Sequence, residues 1–368
     1  MNRLIIFFMS LLFASGASGN DFLRGVVYDV GLYYNGSDLS VKNFRPEQVK
    51  YDMGVISHIL NCNAVRIEGE DIERLVDAAR FAQEAGLKIY FNPWKMASDV
   101  DVTTEYMAQA AQAAEKLRQE GMDITFVAGC EYSLFNKGVF PGETFDDRFK
   151  WLISLGSKPV DEALAEMKEC NVKLNRVLEK LATAVRGNFK GDVTYSSGTW
   201  EMVDWSRFDI IGFDHYRHGE SDEEYLSLIK SQPDGKPVMV LETGCCAYRG
   251  AAQRGGEGFA VLQGIDDNGN GIYEGGVKPE RSEIEQSDYI ERQVNLLAQA
   301  ADGVFIYVFS YPIYPYSDEG VDLDMTSYAL VKSFKETDPK SSMIPAWAPK
   351  DAFFRLGEVY TRLANSTK

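Results

Sequence analysis

The chain has 368 residues, of which 45% are hydrophobic and 25% charged, a composition typical of a soluble globular protein and not of a fibrous or disordered one. This length is enough for a large core without disulfide bridges, and it allows one large domain or two smaller ones. The formal net charge of −17 argues against nucleic acid and anionic membrane surfaces as partners, and three histidines leave little material for a histidine-rich metal site.

The N-terminus has the order of a secretory signal peptide. Arg3 precedes an apolar run over residues 4–14, and small residues then lead to Gly19. This run is too short for a membrane span, which needs about 20 residues. We therefore expect residues 1–19 to be removed and the mature protein to be exported without a membrane span. A buried N-terminal helix or strand is the alternative.

Short apolar runs alternate with segments of helical period along the rest of the chain. The apolar runs predict eight strands, and most of the segments between them predict helices. The predicted strands are 22–28, 64–67, 88–91, 125–129, 192–195, 208–213, 237–241 and 303–309. The predicted helices are 46–60, 72–85, 104–120, 161–186, 222–230, 287–300 and 352–364, with a long polar loop over 136–156.

Eight such units favour an α/β fold of the (β/α)8 TIM barrel type, which typically needs about 250 residues plus insertions. The alternative is an open doubly wound sheet, which usually has a glycine-rich turn after its first strand, and residues 28–34 contain none. We expect the barrel over residues 20–335. Residues 336–368 are predicted to form a short C-terminal helical extension that packs on the barrel.

In such a barrel the active site lies at the C-terminal ends of the strands. Glu131 and Glu242 follow the fourth and seventh apolar runs, where a charge is costly unless it faces a polar cleft. Arg66 and Glu68 share one face of the second strand, because they are two residues apart. The other candidates for substrate contact at strand ends are Asp29, Asn92, Trp94, Tyr132, Trp200, His215, Tyr216 and Tyr311. His215 and His218 are also open to interpretation as surface residues.

Two carboxyl groups at a barrel mouth suit the cleavage of a glycosidic bond. One gives a proton to the leaving oxygen, and the other attacks the anomeric carbon or activates water. The acid must stay protonated while its partner is ionised, and a nearby arginine favours the ionised form. Arg66 suits that position.

Short motifs in this order resemble those of the retaining (β/α)8 glycoside hydrolases called clan A. Residues 63–67 are similar to the strand-two motif that carries an arginine beside the nucleophile, and residues 209–216 to the strand-six motif that ends in a tyrosine. Residues 241–244 resemble the nucleophile motif. The resemblance covers about residues 22–335. It implies that Glu131 is the acid/base and Glu242 the nucleophile, with Arg66 and Tyr216 as positioning partners.

The chain departs from this pattern at Cys130. Clan members usually have asparagine just before the acid/base, where it contacts the sugar 2-hydroxyl, and cysteine is a poor hydrogen-bond partner. Asn92 is the candidate to supply that contact.

The five cysteines match no zinc spacing, and their odd number leaves at least one thiol unpaired. We interpret most of them as small buried hydrophobic residues.

Asp266, Asn268 and Asn270, followed by Gly271, match the first half of a calcium-binding loop. The twelfth position is Val277 and not the bidentate glutamate that such loops use. We therefore favour a simple glycine and asparagine turn. No cofactor is expected, and a structural calcium ion is the alternative.

The sequence thus predicts an exported retaining glycoside hydrolase that cleaves a poly- or oligosaccharide. A non-catalytic glycan-binding barrel is one alternative, suggested by Cys130, and a transglycosylase of the same fold is another. A barrel enzyme of a different class is disfavoured, because the strand ends lack a histidine cluster for a metal and a lysine at the end of strand six. The sugar, the linkage and the oligomeric state are left open.

Overall fold

The computed structural model describes residues 22–34, 38–233, 235–318 and 321–366. Its centre is a closed barrel of eight parallel strands, in which the first strand pairs with both the second and the eighth. We number them β1 Leu23–Asp29, β2 Ala64–Gly69, β3 Lys88–Pro93, β4 Ile124–Cys130, β5 Val193–Gly198, β6 Ile211–Asp214, β7 Val238–Thr243 and β8 Gly303–Ile306. The predicted (β/α)8 barrel is confirmed. The predicted signal peptide lies outside the described residues.

Ten α-helices lie in the described part of the chain. They are α1 Pro46–His58, α2 Ile72–Glu84, α3 Val100–Gln119, α4 Tyr132–Phe135, α5 Phe145–Ser154, α6 Val160–Asn188, α7 Asp222–Lys230, α8 Ala251–Arg254, α9 Glu283–Leu297 and α10 Asp351–Ser366. Three two-stranded antiparallel sheets join Tyr33–Tyr34 to Asp38–Leu39, Leu262–Ile265 to Gly271–Tyr273, and Val331–Ser333 to Trp347–Pro349. None of the helices described here has both the length and the apolar character needed to cross a membrane.

Capping residues explain where several helices begin. The Asp71 side chain accepts hydrogen bonds from two backbone N–H groups at the start of α2. Thr144 and Asp147 form a capping box that begins α5. The prediction of an uninterrupted loop over 136–156 is therefore wrong, because a capped helix lies inside that polar segment. Ser282 similarly begins α9 four residues before the predicted start.

Apolar side chains fill the barrel interior below its mouth. Val27, Tyr90 and Phe305 pack there in one cluster, and a larger cluster lies between the strands and the surrounding helices. At the C-terminal ends of the strands the interior becomes polar. Asp29, Glu68 and Asn92 are neighbours in the register of β1, β2 and β3, and all three are buried. The sheet thus places a layer of polar groups directly above its apolar core.

Helix α10 and the strand before it lie against the barrel. The Tyr360 hydroxyl donates to the carbonyl oxygens of Gly25 at 2.8 Å and Val304 at 3.4 Å, on β1 and β8. The buried Lys350 ammonium lies 2.8 Å from the Asp324 carboxylate. The Tyr360 hydrogen bonds thus fix α10 to the barrel, and the ion pair joins the residue before α10 to the loop that follows β8.

Candidate active site

Arg66 is the buried cation of the barrel mouth. Its Nη1 lies 2.9 Å from Glu242 Oε1 and 3.6 Å from Asp214 Oδ1, and it donates to the Leu241 carbonyl oxygen at 3.0 Å. Its Nη2 lies 3.5 Å from Glu68 Oε2. Burial lowers the pKa of Arg66, but the surrounding acidic groups outweigh burial and raise that pKa well above its ordinary value. The guanidinium is therefore a fixed positive charge among three carboxyl groups.

Glu242 lies at the end of β7 with a separate donor for each carboxylate oxygen. Arg66 contacts Oε1, and the Tyr216 hydroxyl donates to Oε2 at 3.1 Å. The Glu242 backbone carbonyl also accepts a hydrogen bond from His215 N at 2.8 Å, which ties β7 to the end of β6. These contacts fix the plane of the carboxylate, and the side chain retains 9% exposure. A carboxylate held in this way suits the role of a nucleophile.

Cys130 and Asp214 lie beside Glu242. The Cys130 Sγ is 3.4 Å from Asp214 Oδ2 and 3.6 Å from Glu242 Oε1, and the Ser196 hydroxyl donates to Asp214 Oδ1 at 2.5 Å. Burial, reinforced by these two carboxylates, raises the pKa of the Cys130 thiol, and burial also raises that of Asp214. The thiol therefore remains protonated and acts as a donor to carboxylates.

The same three side chains resemble a set of metal ligands. One ligand atom each from Cys130, Asp214 and Glu242 lies within 4.8 Å of the other two. Arg66 already places a positive charge beside two of them, with its Nη1 2.9 Å from Glu242 Oε1 and 3.6 Å from Asp214 Oδ1.

Glu131 follows β4 in an unusual backbone conformation. Its φ of 40° and ψ of 46° lie in the left-handed region, which few residues other than glycine adopt. Its N–H donates to the Ser196 carbonyl oxygen at 2.8 Å, and its side chain is half-buried. Burial and then the charges of Asp214, Glu242 and Glu201 raise the pKa of Glu131, whereas Arg66 lowers it. A carboxyl group kept protonated by such surroundings suits a general acid.

Polar groups of β1, β2 and β3 form another side of the mouth. Both carboxylate oxygens of Glu68 and both amide atoms of Asn92 are buried without a hydrogen-bond partner among the described residues. Asp29 Oδ1 accepts from Gly31 N at 2.7 Å. Burial raises the pKa of Asp29 to about 6 and that of Glu68 well above its ordinary value. Groups of this kind suit the hydroxyl groups of a sugar.

The aromatic candidates differ in their exposure. Trp200 and Tyr311 are half-buried, and Trp200 Nε1 donates to the Ser133 hydroxyl at 3.1 Å. Trp94 is buried and packs edge-on against Phe135 with ring centroids 4.9 Å apart. Tyr132, which the sequence suggested for stacking on a sugar, is only 2% exposed and belongs to the core. That suggestion is wrong, because α4 turns the ring inward.

The two histidines after β6 have different environments. His215 is buried, its ring stacks on Tyr225 at 4.3 Å between centroids, and its Nε2 donates to the Tyr225 carbonyl oxygen at 2.7 Å. Burial lowers the pKa of His215, so its ring is neutral. The interpretation of His215 as a surface residue is wrong, whereas His218 is exposed.

The segment that resembles a calcium loop forms the turn of a hairpin. Asp266 Oδ1 accepts hydrogen bonds from Asn268 N at 2.9 Å and Asn270 N at 2.8 Å. Asp266 Oδ2 accepts from the Asn270 side-chain amide at 3.0 Å. The carboxylate thus caps its own turn, as aspartate often does.

Sequence reasoning assigned no role to Asp214 or to Ser196. A signal was available, since Asp214 ends its strand as Glu242 ends the next one. The position of Asp214 beside Glu242 depends on a register shift between Phe213 and Asp214, which pairs these two acidic residues across β6 and β7. Glu201 was missed because it follows the end of β5 by three residues.

The fold is similar to those of solved glycoside hydrolases. A complex of a GH113 beta-1,4-mannanase has a TM-score of 0.58 at 16% identity, over 93% of this chain and 99% of that one. The GH113 beta-mannanase AaManA from Alicyclobacillus acidocaldarius, in complex with ManMIm, has a TM-score of 0.53 at 15% identity, over 95% and 100%. Beta-glucuronidase 2 from Bacteroides uniformis has a TM-score of 0.53 at 13% identity, over 93% of this chain and 35% of its own.

No protein-family model matches the sequence, and no curated protein matches it. At identities of 13–16% these structural similarities establish the fold of the chain.

Proposed function

We propose that this protein is an exported retaining glycoside hydrolase that cleaves a poly- or oligosaccharide by double displacement. The observation that carries the proposal is Glu242 at the end of β7, held by Arg66 at 2.9 Å and Tyr216 at 3.1 Å. Glu131, at the end of β4, complements it as a carboxyl group whose pKa is raised. One oriented carboxylate and one retained proton are what the reaction needs.

In the first step Glu131 donates its proton to the glycosidic oxygen while Glu242 attacks the anomeric carbon. The leaving sugar departs, and a covalent glycosyl ester forms on Glu242. In the second step the Glu131 carboxylate takes a proton from water, and that water attacks the anomeric carbon and releases Glu242. Arg66 and Tyr216 hold the Glu242 oxygens in place for attack and for departure.

The substrate would lie across the polar strand ends. Glu68 and Asn92 offer buried acceptors and a donor to sugar hydroxyl groups, and Trp200 and Tyr311 offer half-buried rings to sugar faces. Because solved chains of similar fold include beta-1,4-mannanases and a beta-glucuronidase, β-mannan and aryl β-glucuronides are the first substrates to test.

The test uses the mature chain, residues 20–368, with β-linked polysaccharides and aryl glycosides. Proton NMR of the first product anomer distinguishes retention from inversion. We expect retention, and we expect Glu242→Gln to abolish turnover while circular dichroism remains that of the wild type. Inversion, or full activity of Glu242→Gln, would contradict the proposed mechanism. N-terminal sequencing of the secreted protein should begin near residue 20.

A second candidate function is a glycan-binding barrel without turnover. Cys130 favours it, since its thiol faces Asp214 and Glu242, whereas clan A glycoside hydrolases usually have an asparagine at this position. In that case the wild type would hydrolyse no glycoside, and Glu242→Gln would bind oligosaccharides with unchanged affinity. A transglycosylase would instead transfer the glycosyl group to an added acceptor sugar, because it forms the same intermediate.

A further inference from the structure

The backbone of Glu131 needs support from its surroundings. A left-handed conformation is unfavourable for a side chain of this kind and persists where neighbouring contacts determine it. Its carbonyl oxygen accepts hydrogen bonds from Leu134 N at 3.0 Å and Phe135 N at 3.1 Å, so Glu131 begins α4. The position of its carboxyl group therefore depends on what anchors the first turn of α4.

Two side chains provide that anchor, Tyr195 from within β5 and Glu201 from just beyond its end. The Tyr195 hydroxyl accepts a hydrogen bond from Tyr132 N at 2.7 Å. Glu201 Oε1 accepts from Ser133 N at 3.0 Å and from the Ser133 hydroxyl at 2.6 Å. The two residues after Glu131 are thus each bound through their backbone N–H groups.

Glu201 is itself held firmly. Its second oxygen, Oε2, accepts from the Tyr195 hydroxyl at 2.8 Å and from Gly198 N at 3.3 Å. The residue is 6% exposed, and in the described chain no basic side chain lies within salt-bridge distance of it. Glu201 and Tyr195 therefore form one hydrogen-bonded unit with the start of α4. Burial raises the pKa of Glu201, and the hydrogen bonds from Ser133, Tyr195 and Gly198 oppose that rise by stabilising its carboxylate.

We propose that Glu201 is the positioning residue of Glu131, both fixing its backbone and placing a negative charge near its carboxyl group. This inference rests on the proposed function, in which Glu131 is the acid/base. Other charged or titratable groups also interact electrostatically with Glu131. They are Asp214 from β6, Tyr216 from the segment after β6, Glu242 from β7, Arg66 from β2 and Cys130 from β4.

Burial and the Asp214 and Glu242 charges raise the pKa of Glu131, and Glu201 raises it further. Loss of the Glu201 charge should thus lower the pKa of Glu131, while the contacts of Glu242 stay as they are. Its loss should also loosen the first turn of α4. Near and above its pKa, less of Glu131 is then protonated, and a looser turn places its carboxyl group less well. Both effects weaken proton donation to the leaving group at such pH and leave nucleophilic attack unchanged.

The experiment compares Glu201→Gln, Tyr195→Phe and the control Glu179→Gln in the mature protein. Glu179 is an exposed residue paired with Arg207 at 2.5 Å, so its substitution removes an acidic charge elsewhere. Each protein is assayed with two aryl glycosides of the same sugar, one carrying 2,4-dinitrophenol and the other phenol. Departure of dinitrophenolate needs little proton donation, whereas departure of phenol depends on it.

We expect Glu201→Gln to lower kcat/KM for the phenyl glycoside by about tenfold or more and to change the dinitrophenyl value by less than about threefold. The alkaline limb of the phenyl pH profile should move to lower pH, with the acidic limb unchanged. Tyr195→Phe, which retains the charge, should reduce phenyl turnover without moving that limb. If Glu201→Gln does not fold, the Tyr195→Phe variant alone tests whether this hydrogen-bonded unit positions Glu131. Equal losses for both substrates, or no loss, would overturn the proposal.

A readout that needs no turnover separates this proposal from the proposed function. Carbon-13 NMR of glutamate-labelled protein follows the carboxyl of Glu131, assigned by comparison with Glu131→Gln. The titration midpoint of this carboxyl group should move to lower pH in Glu201→Gln and remain unchanged in Glu179→Gln, even if no glycoside is hydrolysed. An unchanged midpoint in Glu201→Gln contradicts the inference, whereas activity that survives in Glu242→Gln contradicts the enzyme mechanism alone.

Discussion

The ends of β4 and β7 each present a glutamate to the barrel mouth, but they hold it in different ways. Glu242 is fixed through its side chain, whose two oxygens contact Arg66 and Tyr216. Glu131 is fixed through its backbone, and its carboxyl group lies among other acids. A nucleophile needs one orientation and a lasting charge, whereas an acid/base must lose and regain a proton. The two anchoring modes match these two demands.

The largest effect on the contrast between Glu242 and Glu131 should come from removing the nucleophile. Glu242→Gln should reduce kcat/KM by at least about 10⁴-fold for every leaving group, because no covalent intermediate can form. Steady-state assays with the dinitrophenyl and phenyl glycosides measure this, with thermal unfolding as the check on folding. Residual activity above about one per cent for either substrate would assign the nucleophile elsewhere.

Removing the acid should give a selective loss. Glu131→Gln should lower kcat/KM for the phenyl glycoside by about 10²–10⁴-fold and leave dinitrophenyl cleavage much less affected. The wild-type profile should fall as pH rises through the pKa of Glu131, because only the protonated form donates, and this limb should disappear in the variant. If both substrates lose activity equally, Glu131 is not the acid.

Asp29 tests how a strand-end acid behaves with a backbone donor but no ion pair among the described residues. Burial raises its pKa to about 6, so between roughly pH 4 and pH 6 the folded state binds more protons than the unfolded state. Stability should therefore increase as pH falls through 6, by about 3 kcal/mol in total from this group. Asp29→Asn should remove that contribution. Urea unfolding at pH 7.5 and pH 5 in both proteins measures the difference, and parallel curves would refute it.

The mildest change weakens one contact of Glu242. Tyr216→Phe removes the hydroxyl that donates to Oε2 at 3.1 Å and leaves Arg66 in place. We expect about a tenfold loss in kcat/KM for both aryl glycosides alike, since the contact acts on the nucleophile and not on the proton. A loss confined to the phenyl glycoside would instead connect Tyr216 with the acid.

The eight strands were readable because each is a near-continuous apolar run, and Arg66, Glu131 and Glu242 stood out as charges at the ends of such runs. Other features depend on geometry that leaves no local mark. The left-handed backbone at Glu131 could not be predicted, because this position is not a glycine. The pairing of Asp214 with Glu242 follows from a shift in strand register. Helix α5 was missed because its capping box lies within a polar segment.

The hydrogen bonds of Tyr360 to Gly25 and Val304 lie across the seam where the ring of strands closes. Gly25 and Tyr360 are 335 positions apart, so this seam joins segments that a ribosome produces far apart in time. Until β8 has emerged, β1 has an unpaired edge that can pair with other chains. The nascent chain therefore carries this edge throughout synthesis of the six intervening strands, and pairing with β8 ends that exposure.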